Sequence, residues 1–183
     1  MSQLPGNVAK QVVSSSKLAD AGHFITVAEG QSIVMKAKLW KGTPYGTGIY
    51  AGGNPVKASG ADCSGSVWKI YQEAGFSYGS YTNTAGFMNL AGDDTNFIQG
   101  KHFFKLVSLP QVGDVGWWHN GKGGHMAIYD PNSGMCGQEN KTAGNVWSAS
   151  NARGPAFGAA HSSWYDKDYK IHVKWFRFWK SST

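Results

Sequence analysis

The periodicity of the chain changes once, and that change limits the fold more than any other feature of the sequence. Up to Ala74 the apolar residues recur at helical spacing, and from Phe103 onward they come in short runs between turn residues. Helices first and strands afterwards, with short connections, predict an α+β domain in which N-terminal helices pack on a central antiparallel sheet. No internal repeat or linker divides the 183 residues. One domain is therefore expected over residues 1–183, with 1–28 an N-terminal extension to which the sequence gives no role.

Glu29 to Trp40 reads as a helix, with Ile33, Ala37 and Trp40 at helical spacing and Val34 beside them. Gly42-Thr43-Pro44 ends it. Tyr45 to Gly60 holds five glycines and Pro55, so a loop of tight turns is expected. Ser64 to Ala74 is the clearest helix: Val67, Ile70, Tyr71 and Ala74 share one face, and Gly75 is a fitting stop. Thr82 to Leu90 reads as another short helix and Gly92 to Gly100 as a polar loop. Strands are expected at Phe103–Val107, Val115–Trp118, His125–Tyr129, Val146–Ala149 and Ile171–Trp179, with Asp130-Pro131-Asn132-Ser133-Gly134 as a turn. From Trp175 to Trp179 the last strand is nearly all aromatic, which predicts that both of its faces are covered.

The residues that suggest chemistry lie on either side of the change in period. Asp62 is a good N-cap and puts Cys63 in the first turn of its helix, four residues before Val67 and so on the buried face. There the dipole and free N–H groups are expected to lower the thiol pKa and to hold an oxyanion. The small neighbours Ser64 and Gly65 let a carbonyl approach the sulfur. His125 follows Gly123-Gly124 and opens a strand on which His125, Ala127 and Tyr129 share one face and Met126 and Ile128 the other. If the Cys63 helix packs on the first of these faces, thiol and imidazole meet as nucleophile and base. Each residue also has a plain structural reading, a buried cysteine and an ordinary strand histidine.

Composition narrows the classes. Two cysteines, Cys63 and Cys136, give no disulfide framework and no Cys-x-x-Cys zinc pair, and the histidines are dispersed, so no metal or other cofactor is expected. Cys136 has no partner motif and reads as a bystander. The net charge of +6 favours anionic surroundings, but the basic residues never run in blocks, which argues against nucleic acid. No apolar run is long enough for membrane insertion, and the N-terminus carries no basic region followed by an apolar one. A protein made in the cytoplasm without a signal peptide is the expectation.

Four motifs in order resemble the NlpC-type family of papain-like cell-wall peptidases: Gly42-Thr43-Pro44-Tyr45, Asp62-Cys63-Ser64-Gly65, Gly113-Asp114-Val115, and Gly124-His125-Met126-Ala127-Ile128-Tyr129. The resemblance spans roughly Gln31 to Trp179. It implies a papain-like α+β fold and hydrolysis of amide bonds in peptidoglycan stem peptides, often between D-glutamate and the diamino acid. It further implies Cys63 as nucleophile, His125 as base, Tyr45 lining the site and helping hold the oxyanion, and Asp62 and Ser64 contacting the peptide. The sequence departs from the family at the third catalytic position. Ser148, in Val146-Trp147-Ser148-Ala149-Ser150, stands where a histidine would orient the imidazole, with Gln138 or no third residue as the alternatives. Bacteria inject proteins of this description into rivals, so the resemblance suggests a type VI secretion amidase effector that acts in the periplasm of a target cell and is paired with an immunity protein. A phage or housekeeping wall lysin of the same chemistry, a CHAP-type amidase and a non-catalytic wall-binding module are the competing readings.

Overall fold

A computed structural model describes residues 22–46, 60–135, 143–150, 156–160 and 172–182. The expected N-terminal extension falls mostly outside them, as do Cys136 and Gln138. Two helices, α1 (Val27–Leu39) and α2 (Cys63–Glu73), lie against a sheet of eight strands. These are β1 (His23–Phe24), β2 (Ala91–Gly92), β3 (Phe104–Val107), β4 (Val115–His119), β5 (Gly124–Met135), β6 (Ala143–Ser150), β7 (Ala156–Ala160) and β8 (Lys174–Lys180). Their order is β2-β3-β8-β4-β5-β6-β7, with β1 paired to β8. Among the described residues no helix is long and apolar enough to cross a membrane.

Helix α1 starts at a capping box: Glu29 N–H donates to Thr26 Oγ1 at 3.2 Å and Thr26 N–H to Glu29 Oε2 at 2.9 Å. Its buried face is Gly30, Ile33, Val34 and Ala37. A Cβ on either Gly30 or Gly113 would collide with the backbone of the other segment, so this pair of glycines lets α1 sit directly on the turn before β4. Helix α2 contributes Val67, Ile70 and Tyr71 to a core shared with Val115 and Trp117 of β4, Met126 and Ile128 of β5 and Phe176 and Phe178 of β8. Aromatic rings fill its centre, with Tyr78 and Phe178 edge to face on Phe104 at 5.0 and 5.4 Å and Phe87 tilted against it at 4.9 Å.

The last strand in sequence lies inside the sheet, between β3 and β4. That position accounts for its aromatic run. Phe176 and Phe178 enter the core, while Trp175 meets Tyr129 at 5.0 Å and Trp179 meets Phe24 at 4.8 Å.

Several expectations are corrected. Asp130 to Gly134 is not a turn; β5 runs through it, with a register irregularity between Tyr129 and Gly134. The buried Asp130 carboxylate accepts from the Asn132 N–H at 3.0 Å and from Trp147 Nε1 at 2.9 Å, and the Trp147 bond ties the segment to β6 and keeps it extended. Pro131, which has no N–H, is tolerated where the ladder is already interrupted. The sheet is not wholly antiparallel, because β2 and β3 pair in parallel. The expected helix over Thr82 to Leu90 shrinks to one 3-10 turn, Phe87–Leu90, since Asn83 spends its side-chain oxygen on the Gly86 N–H at 2.9 Å. β1, β2 and β7 were not expected as strands.

Candidate active site

Helix α2 begins where the sequence places it. Asp62 Oδ1 accepts the Gly65 N–H at 2.5 Å, leaving Cys63 as the first helical residue. The chain enters this turn through a parallel bridge between Tyr45 and Ala61, with Ala61 N–H bonded to Pro44 O at 3.1 Å and Gly46 N–H to Ala61 O at 3.2 Å. Gly60 is needed for this approach. Its φ is +111°, and a Cβ there would press on Gly46 and the Pro44 carbonyl. Tyr45 is half-buried and packs against the core edge.

Cys63 is a free cysteine, 7% exposed. The N–H groups of Met126, Ser64 and Cys63 itself face its sulfur and favour the thiolate. Burial opposes them and wins, with the Asp62 charge adding to it, so the thiol is pushed up to about 12. The lowered thiol pKa expected from the helix start is therefore not found in this closed arrangement. The dipole acts within one turn, but the sulfur has lost most of its water and has a carboxylate for a neighbour.

The Met126 contact fixes where the thiol meets the sheet. Tyr129 N–H donates to Asp114 O at 2.8 Å on the β4 side. In an antiparallel ladder the N–H groups of alternate residues point the same way, so those of His125 and Ala127 also face β4, and those of Met126 and Ile128 face β6. The pairing of β5 with β6 begins at Ile128, opposite Trp147. The sulfur sits on the β6 side of β5, one residue from His125. The side chains divide as alternation predicts, but α2 packs on the Met126 and Ile128 face and not on the His125 face, so the expected condition for thiol and imidazole to meet directly is not met. α2 shares its core with Met126 and Ile128, while His125 alternates to the face of its cross-strand partner Trp118. Those two rings lie 6.5 Å apart at 21°, and the imidazole Nε2 is buried.

Ser148 is buried on β6 and, because Trp147 and Ala149 belong to the core, alternates to the same face as His125. Asp62 and Ser64 are also buried, and their polar atoms are bonded within the protein. Ser64 Oγ donates to Asp62 Oδ1 at 3.1 Å, and Tyr81 Oη lies 3.2 Å from Ser64 Oγ and 3.3 Å from Asp62 Oδ2. Tyr81 is the residue that periodicity gave no reason to notice. Among the other histidines, His119 stacks on Trp117 at 6.3 Å and its Nδ1 accepts the Gly121 N–H. Among the described residues no three of His, Cys, Asp and Glu gather as a metal site would require. A groove of about 700 Å³, lined by residues such as Phe24, Lys105, Trp175 and Arg177, includes none of the candidate site residues.

No protein-family model matches the chain, and no curated protein matches it. Among solved structures it is similar to a Staphylococcus aureus subsp. aureus Mu50 protein described as similar to lipoprotein, NLP/P60 family. The two share 18% identity at a TM-score of 0.47, over 89% of this chain and 44% of the other. The chain thus spans less than half the length of that protein.

Proposed function

We propose that the chain is a cysteine amidase that hydrolyses amide bonds in peptidoglycan stem peptides, between D-glutamate and the diamino acid. The observation that supports this reading best is the meeting of the Cys63 sulfur with the Met126 N–H, which brings a first-turn cysteine to the strand position next to His125. In this mechanism the His125 imidazole leaves its place beside Trp118 and turns round the β6 side of β5 to take the Cys63 proton as the sulfur attacks the amide carbon. The Cys63 and Ser64 N–H groups hold the resulting oxyanion, and Ser148 orients the ring. The imidazolium then protonates the departing amine, and water, deprotonated by the same imidazole, hydrolyses the thioester. Tyr45 borders the cleft, and Asp62 and Ser64, bonded to each other beneath it, hold the first turn of α2.

The wall is an anionic polymer outside the cytoplasm, and the net charge of +6 suits it. We further propose action in the wall of a target cell after secretion, as a type VI effector with an immunity protein as partner. The burial of Cys63 and its raised pKa favour a second reading, a wall-binding module with an inert thiol. Incubation with purified stem peptides, followed by mass spectrometry, separates the two. Fragments carrying a new amine on the diamino acid support the amidase. Intact peptides, with the protein retained on sacculi, support the module.

A further inference from the structure

Tyr81 lies eighteen residues after Cys63, outside every element, yet it returns to the first turn of α2. Its segment is tied to that helix at two points one turn apart. Trp68 Nε1 donates to Gly79 O at 2.9 Å, and the Tyr81 ring meets Trp68 edge to face at 6.1 Å. Ser64, one helical turn before Trp68 on the same face, lies 3.2 Å from the phenol oxygen. Tyr81 Oη lies 3.3 Å from Asp62 Oδ2 and Ser64 Oγ 3.1 Å from Asp62 Oδ1, so both hydroxyls donate to one carboxylate and the three side chains cluster beside the residue that carries the thiol. We propose that Tyr81 is a positioning residue for Cys63, its hydroxyl donating to the Asp62 carboxylate so that the charge of Asp62 is drawn towards Tyr81 and Ser64 and away from the sulfur.

The direction of donation follows from the groups present. A carboxylate only accepts, so the phenol O–H is the donor to Asp62 Oδ2. Burial first, and then the Asp62 charge, keep that phenol protonated by pushing it up to about 12, with the Ser64 bond acting the other way. A hydrogen bond to a carboxylate in a dry setting spreads its charge. Losing that bond leaves more of the charge on Cys63, whose ionisation Asp62 already opposes. The titratable groups around the thiol are then Asp62 on its own helix, Tyr81 on the returning loop and His125, next in sequence to the Met126 N–H, on β5. Of these, Tyr81 alone can be stripped of its hydroxyl while its ring stays against Trp68.

The test is the rate at which iodoacetamide modifies the Cys63 peptide, followed by mass spectrometry from pH 6 to 9.5. Tyr81→Phe is expected to slow alkylation at pH 8 by about three- to tenfold and to displace the profile to higher pH, a change that opposite- and like-charge effects of this size produce. Asp62→Asn should accelerate it. Because Tyr81 acts through Asp62, Tyr81→Phe in the Asp62→Asn background should change the rate by less than about twofold. Ser64→Ala removes the other hydroxyl donor to Asp62 and should slow alkylation less, in the same direction. Equal slowing in both backgrounds, no slowing, or acceleration by Tyr81→Phe would overturn the proposal. Its consequence for turnover rests on the amidase reading, but alkylation needs no substrate. Failed peptide cleavage with the expected alkylation pattern therefore sinks the amidase alone, and cleavage without that pattern sinks only the role of Tyr81.

Discussion

At the scale of single residues, burial decides the state of the site. With its thiol pushed up to about 12, Cys63 is protonated at neutral pH in the unoccupied protein. Its alkylation rate should then climb about tenfold per pH unit between 7 and 9, the slope of a thiol far below its pKa. A rate that stays flat down to pH 5 would instead mark a preformed thiolate–imidazolium pair. The position of Cys63 was legible, because an N-cap followed by a residue four before the first core valine is a local pattern. Its pKa was not, because that depends on how much water the packed sheet removes. Tyr81 was hidden for a different reason. An eleven-residue helix such as α2 is about 16 Å long at about 1.5 Å per residue. A chain turning back at Gly75 covers that distance in about five to seven extended residues. Chain length thus lets residues 80 to 82 reach the first turn of α2, but no periodicity marks which of them does.

At the scale of elements, two polar ties hold the frame. Thr26 and Glu29 cap α1, and Glu29 also meets His23 of β1 at 3.0 Å and Lys180 of β8 at 3.2 Å. Burial alone would raise the Glu29 carboxyl, but the Thr26 N–H, Lys180 and His23 outweigh it and hold it at about 2. The folded value lies below the ordinary one of 4.5. Its stabilisation is therefore complete above that value and is lost as the pH falls towards 2. Glu29→Gln should reduce stability at pH 6 by about 1 kcal/mol, solvent screening taking the rest. Urea midpoints at pH 6 and pH 3 should show the difference shrinking at the lower pH, and a difference that grows would contradict this. The second tie is Asp130 to Trp147. Trp147→Phe leaves a buried carboxylate short of a donor and should cost about 1–3 kcal/mol, read as a lower urea midpoint at unchanged slope. The same tie explains why Asp130-Pro131-Asn132-Ser133-Gly134 misled. Its residues are those of a turn, and only a partner seventeen positions away keeps them extended. The five expected strands were legible from alternation and β-branched or aromatic content. Two-residue β1 and β2 exist only through their neighbours, and no window of sequence is long enough to show them.

At the scale of the whole molecule, the late, aromatic β8 sits inside the sheet, so truncation before Lys174 should abolish folding, seen as loss of the cooperative urea transition. A wall amidase should also depend on compartment. Expression in the cytoplasm of a Gram-negative host, away from mature wall, should be tolerated, and the same chain directed to the periplasm should lower culture density. Equal harm from both compartments would point to another target. The measurement that bears most directly on the site is digestion of purified sacculi by the wild type, Cys63→Ala and His125→Ala, with released fragments identified by mass spectrometry and folding checked by thermal melting. A sulfur-to-hydrogen change at Cys63 should cost on the order of 1 kcal/mol, so the variant stays folded. The expected result is stem-peptide cleavage by the wild type and none by either folded variant. Cleavage that persists in folded Cys63→Ala would contradict a thiol mechanism at this site.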